Sequence, residues 1–346
     1  MSKLNTKLND EHHQRRRTTL TFIVSVCFLI FAVYLNLAIG SSKISFQSML
    51  DYFFHLKTTK ATFLIHNVRM PRMIASAMIG AALAVAGVLM QAITRNPLAS
   101  PQIFGVNAGA SFIVVLITVF LPALADNTVV FAFVGAFIGG FTVYTLADTT
   151  KGMTPVKLAL AGMTIHLFFT SLTQGIILLN EDATTTVMFW LVGALHTIKW
   201  PQIFQVLPWI IGGLIAALLL GRQLAILNLG DQLATGLGQN TKRIRALAGL
   251  LVIILAGASV SIAGPIGFVG LIVPHIVKHY LNRNYFLIIT LSMIMGANLL
   301  LISDVISRLI AFPFESPVGI VTSFVGALYF LWITMRGVKH DEYSFW

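Results

Sequence analysis

Residues 70–92 read MPRMIASAMIGAALAVAGVLMQA, and Arg72 is the only charged residue among them. A stretch of this length and apolarity matches the hydrocarbon thickness of a bilayer crossed as a helix, which takes about 20 residues. Nine further apolar runs are separated from it by polar breaks, at 18–40, 102–122, 128–148, 156–179, 202–221, 246–264, 267–280, 285–303 and 317–335. The run at 267–280 is short and contains Pro274, so a broken or partly inserted helix is expected there. The runs are too long and too unalternating for barrel strands, and backbone amides in lipid must be satisfied within their own segment. The expected fold is all-α: a polytopic membrane protein of about ten transmembrane helices. Its single transmembrane domain covers 18–335, flanked by a basic tail at 1–17 and a short tail at 336–346.

Composition agrees with this reading, since 57% of residues are hydrophobic and 10% charged, and the mean hydropathy is +0.85. A soluble domain of ordinary size is excluded. The net charge of +11 does not mark a nucleic-acid binder, because the cations lie between apolar runs and form no polar face. With ten spans and a cytoplasmic N-terminus, Lys43, Lys57, Lys60, Arg69, Arg72, Lys199 and Arg308 fall outside, and the other 16 of the 23 Lys and Arg fall inside. That asymmetry follows the positive-inside rule and places both termini in the cytoplasm. The first run has no small-residue cleavage site after it, so a retained span is expected and not a secretory signal peptide. Cys27 is the single cysteine, which excludes an intrachain disulfide and a cysteine-based metal site.

Small residues recur four apart, as in Gly80 with Ala84, Gly105 with Gly109 and Gly135 with Gly139, which predicts close helix packing. GAALAVAG from Gly80 and GLLVIILAG from Gly249 are weakly alike and sit on spans of opposite direction, each leading into a Gly/Pro-bearing connection. This is the pattern of an inverted repeat. There is no phosphate-binding G-x-x-x-x-G-K-[ST], so ATP is not expected to bind this chain. The histidines show no metal-binding spacing, and no acidic pair stands at membrane depth. His166 and Asp148 are the ionisable groups read as deepest; a neutral His166 bonded to a neighbouring helix is the plainer expectation, lining of a path the other.

Two places invite a partner. Arg69, Arg72 and Arg308 break the positive-inside pattern; they either snorkel to headgroups or dock an acidic partner through charge-assisted hydrogen bonds. The connection at about 222–245 contains LGDQLATGLG, residues 229–238, where Asp231 can cap a short helix ended by Gly236 or Gly238. Leu233 and Leu237 would then form one side of a surface knob for another protein's groove, unless the stretch is a plain connector.

Several long stretches, in order, resemble the FecCD family, the iron-siderophore and vitamin B12 permeases of type II bacterial ABC importers. They are Arg69-Met-Pro-Arg72, GAALAVAGVLMQ ending at Gln91, Arg95-Asn-Pro-Leu-Ala-Ser-Pro101 with Phe104-Gly-Val-Asn-Ala-Gly-Ala110, the 229–238 loop, Gly264-Pro-Ile-Gly-Phe-Val-Gly-Leu-Ile-Val-Pro-His275, Ser303-Asp304 to Arg308, and Glu315-Ser-Pro-Val-Gly319. Lys278 stands where arginine is the more usual residue after Pro274-His275.

The resemblance implies a ten-helix permease subunit of the bacterial cell membrane that carries a ferric siderophore and is itself no enzyme. It implies a second permease subunit, same or homologous, as partner, together with two ATPase subunits holding ATP and Mg inside and a substrate-binding protein outside. Arg69, Arg72 and Arg308 would meet acidic residues of that binding protein. Gly230, Asp231, Leu233, Ala234, Leu237 and Gly238 would enter a cleft of the ATPase. Haem and cobalamin carriers share these motifs. A secondary transporter running without ATP would need an ionisable cluster at the midplane, which the sequence does not display.

Overall fold

The computed structural model describes residues 2–40, 44–147, 155–180, 184–281, 284–312 and 314–341. Lys43, Asp148, Lys151 and Arg283 lie outside them, so the reading of Asp148 as one of the deepest ionisable groups does too. Ten main helices follow one another: α1 Ser2–Ala38, α2 Met70–Thr94, α3 Val106–Phe120, α4 Thr128–Ala147, α5 Pro155–Leu179, α6 Trp200–Leu219, α7 Thr241–Ala263, α8 Val269–Tyr280, α9 Tyr285–Ile310 and α10 Val318–Asp341. No strand occurs among the described residues. All ten anticipated apolar runs are helical among the described residues, and eight helices, taken with the turns that lead into α2 and α4, are long and apolar enough to cross a membrane. Several boundaries differ: α1 continues back through the basic tail to Ser2, α7 starts earlier than expected at Thr241, α9 runs past 303 to Ile310, and α10 runs on to Asp341.

α2 and α7, the two spans with similar sequences, are also the most buried, over 83% and 72% of their apolar windows, whereas α5 is buried over 17%. α2 packs on α7, α8 and α9, while α3 packs on α4 and α5, and α1 covers α9. Glycine permits the tightest crossings. A Cβ at Gly80 would meet the Gly296 carbonyl of α9, and one at Gly87 the Gly270 carbonyl of α8; α3 and α4 meet likewise through Gly109 and Gly135.

α8 corrects one expectation, since the helix runs unbroken through Pro274. It is nevertheless short. Its 12 residues and the 15 of α3 extend about 1.5 Å each, too little to cross a bilayer core of about 30 Å alone. Both are entered through irregular backbone: Arg95 to Gly105, including a 3₁₀ turn at Pro101–Phe104, before α3, and Gly264 to Phe268 before α8. The two halves of the weak repeat thus share one design, a buried helix, an interrupted entry and a short helix.

Candidate functional site

The Arg-Met-Pro-Arg stretch begins α2 behind a wide π turn at Ile65–Arg69. Pro71 has no amide hydrogen to give to the preceding turn, and a widened turn absorbs that mismatch. The geometry aims Arg69 and Arg72 inward. Arg69, Arg72 and Arg308 are each 5% exposed. Arg72 donates Nε to Asp304 Oδ1 at 2.9 Å and Nη1 to Glu315 Oε2 at 2.6 Å. Arg308, one turn beyond Asp304, donates Nη2 to the same carboxylate and to Asn36 Oδ1 at 2.8 Å, and Nη1 to the Asn36 and Ile39 carbonyls at 2.9 and 2.8 Å. Arg69 donates to the Leu37 carbonyl. Asp304 is fully buried and shared by two guanidiniums. A charge in that position is tolerable only because its partners are complete.

Sequence reasoning missed this cluster because Asp304 lies just past the expected end of its span at 303. The signal was available in the spacing Asp304 to Arg308, one helical turn, and in the motif carrying Asp304 and Glu315. Of its two acids only Glu315 reaches the surface, with its side chain 37% exposed.

At the opposite end of the bundle the 229–238 loop forms the expected short helix, Asp231–Gly236. Gly230 and Gly238 bound it at φ 116° and 78°, conformations open to glycine. Asp231 does not cap it; Gly230 holds that position. The carboxylate instead accepts from Arg95 at 2.5 Å and from Arg245 at 2.8 and 3.0 Å. Ala234 is buried beneath the turn, while Leu229, Leu233 and Leu237 are 54%, 61% and 65% exposed. Gln91, the end of another motif, accepts from Lys278 Nζ at 2.9 Å, so the lysine that stands for arginine still reaches an intramolecular partner.

Between these ends lies a cavity of about 340 Å³ lined by Gln102, Asn107, Ser111, His166, Thr170 and Gln174, among others. Both interrupted entries contribute to it, through Gln102 and Pro265. His166 is exposed near the middle of α5. Against the plainer expectation, it has no hydrogen bond to a neighbouring helix among the described residues. Unpaired polar groups at that depth are costly in lipid and are tolerated where they face water or another subunit. Among the described residues, no group of three or more His, Cys, Asp or Glu is placed to hold a metal ion.

Comparison with known proteins agrees with this architecture. The model of the FecCD transport family matches residues 28–336. The chain is 48% identical over 329 residues to the Fe(3+)-citrate import system permease protein YfmD of Bacillus subtilis, covering 94% of this chain and 98% of that protein. It is 39% identical over 320 residues to the iron(3+)-hydroxamate import system permease protein FhuB of the same organism, covering 92% and 83%. A solved structure of an inward-facing ABC transporter of metal-chelate type superposes with a TM-score of 0.81 at 26% identity, over 92% of this chain and 99% of the other.

Proposed function

Because the chain belongs to the FecCD transport family, we propose that it is the membrane-spanning subunit of an ATP-driven bacterial importer for ferric siderophores, ferric citrate-type chelates foremost. The observation that carries the reading is the cavity between the two ends, where two interrupted entries meet α5 and uncharged polar side chains stand among apolar ones. Discontinuous segments in matching halves of a repeat mark transport sites. Its lining offers neutral hydrogen-bonding groups and one imidazole, suited to the oxygen-rich exterior of a chelate held transiently. The permeases quoted above are named for ferric citrate and ferric hydroxamate. The iron is cargo, wrapped by its own ligands, so the chain needs no metal ligands of its own.

In this reading α5, exposed on most of its surface, faces a second permease subunit across the path. The end carrying Arg69, Arg72 and Arg308 lies outside the cell, where a binding protein docks. The turn at 231–236 lies inside, with both termini, and seats Leu233 and Leu237 in an ATPase subunit. Partner binding and ATP hydrolysis then bias an equilibrium between outward-open and inward-open states.

The deciding experiment is uptake of radiolabelled iron, presented as ferric citrate and as ferric hydroxamates, in cells with and without this chain, with haem and cobalamin as competitors. Loss of ferric citrate uptake is expected, with neither competitor inhibiting it in wild-type cells. Unchanged iron uptake with reduced haem or cobalamin accumulation would overturn the substrate. A second expected result concerns the inner face: L233D with L237D places two carboxylates in an apolar contact and should abolish co-purification of the ATPase subunits, and full retention would refute the seating.

A further inference from the structure

Asp231, Arg95 and Arg245 come from three separate elements. Arg95 ends α2 in the left-handed conformation at φ 50°, a position helices more often give to glycine. That twist turns its guanidinium across to Asp231 and to the Leu227 carbonyl, at 2.5 and 3.1 Å. Asn96 closes the following turn by accepting from the Leu98 amide at 2.9 Å. Arg245, one turn into α7, approaches the same carboxylate from the other side. Exposed ion pairs contribute little to stability; the side chains of Asp231 and Arg95 are 48% and 32% exposed, while that of Arg245 is 14% exposed. Two cations converging on one exposed acid therefore fix position more than they stabilise the fold.

We propose that Arg95 and Arg245 are positioning residues: together they clamp the Asp231–Gly236 turn to the ends of α2 and α7, so that force applied at Leu233 and Leu237 is passed to those two helices. The proposal rests on the ATPase-seating reading given above. α2 and α7 are the two most buried spans, and they are also the helices that lead into the interrupted entries at the cavity. α2 in addition abuts α9 at Gly80 and α8 at Gly87 with no room for a methyl group. Close-packed interiors transmit displacement instead of absorbing it. A shift of the turn thus reaches the entry at 95–105 directly through Arg95, and the entry at 264–268 along α7 from Arg245. A turn tethered only by its backbone would swing without moving either.

The test uses the complete transporter in liposomes, with its ATPase subunits and binding protein, carrying R95Q with R245Q. Neither residue belongs to the apolar seat, so co-purification of the ATPase should match wild type. Stimulation of ATP hydrolysis by chelate-loaded binding protein should disappear, and uptake per ATP hydrolysed should fall about tenfold, the scale of mutations along a coupling route. R95K with R245K, which keeps both charges, should recover most of the stimulation. Unchanged stimulation and uptake per ATP in the glutamine variant would overturn the clamp. So would a loss of folded transporter that tracks the loss of uptake, or failure of the lysine variant to recover. If L233D with L237D leaves the ATPase bound, the seating reading itself fails, an outcome separable from failure of the clamp alone.

Discussion

Replacing Asp304 with alanine is expected to destabilise the purified protein by about 3–5 kcal/mol, because removing one partner of a buried ion pair leaves the others uncompensated. Arg72 would keep Glu315, whereas Arg308 would keep only Asn36 and two carbonyls. Unfolding in detergent, followed by helicity, reads the loss. The control is a variant with the charges removed together, R72M, D304L and R308M, which should be closer to wild type than D304A is, since an apolar replacement of a buried triad is often neutral. A D304A protein within about 1 kcal/mol of wild type would show that water already reaches the carboxylate.

The second large effect is expected at the crossing of α2 with α9. Gly80→Leu drives a side chain into the Gly296 carbonyl and the Ala297 backbone, which no rotamer can avoid. Overpacking of this kind costs about 1–3 kcal/mol and more where backbone must move. Folded yield by size exclusion should collapse, and Gly87→Leu, facing the Gly270 backbone, should behave alike. Gly212, with nothing within 4 Å, reverses the sign: alanine there should stabilise the helix by up to about 1 kcal/mol. If Gly80→Leu folds as well as Gly212→Ala, the close crossing is wrong.

The ten helices were legible because lipid imposes one long apolar run per crossing, and the glycines around Asp231 were legible because they punctuate a turn. Pairings were not. Arg72 and Asp304 are 232 positions apart and Arg95 and Asp231 are 136 apart, and nothing local couples them. For the same reason the three outer arginines read as groups that snorkel to headgroups or dock an acidic partner, and not as members of an internal cluster. A cation at the edge of an apolar run looks alike whether it leaves the bundle or enters it, and only the arrival of α9 decides. His166 failed the other way: a lone histidine in a span suggests a neighbour to bond, and α5 has few neighbours on that side. α8 reads as a broken or partly inserted helix because Pro274 lacks a helical donor and the run is short; the helix is unbroken, and the interruption falls earlier, at Gly264 to Phe268.

The carboxylate shared by Arg72 and Arg308 also sets an order of events during biosynthesis. α2 leaves the ribosome carrying Arg72 long before its counter-ion exists, since Asp304 belongs to the ninth helix. An arginine near a helix end can wait by reaching towards headgroups, so the nascent α2 holds an unsettled depth until α9 is made. Only then can Asp304 draw the start of α2 and the end of α1 under the surface. Chains arrested before residue 304 should therefore leave Arg72 open to water-soluble reagents, and the outer end of the molecule matures last although its first components are made first.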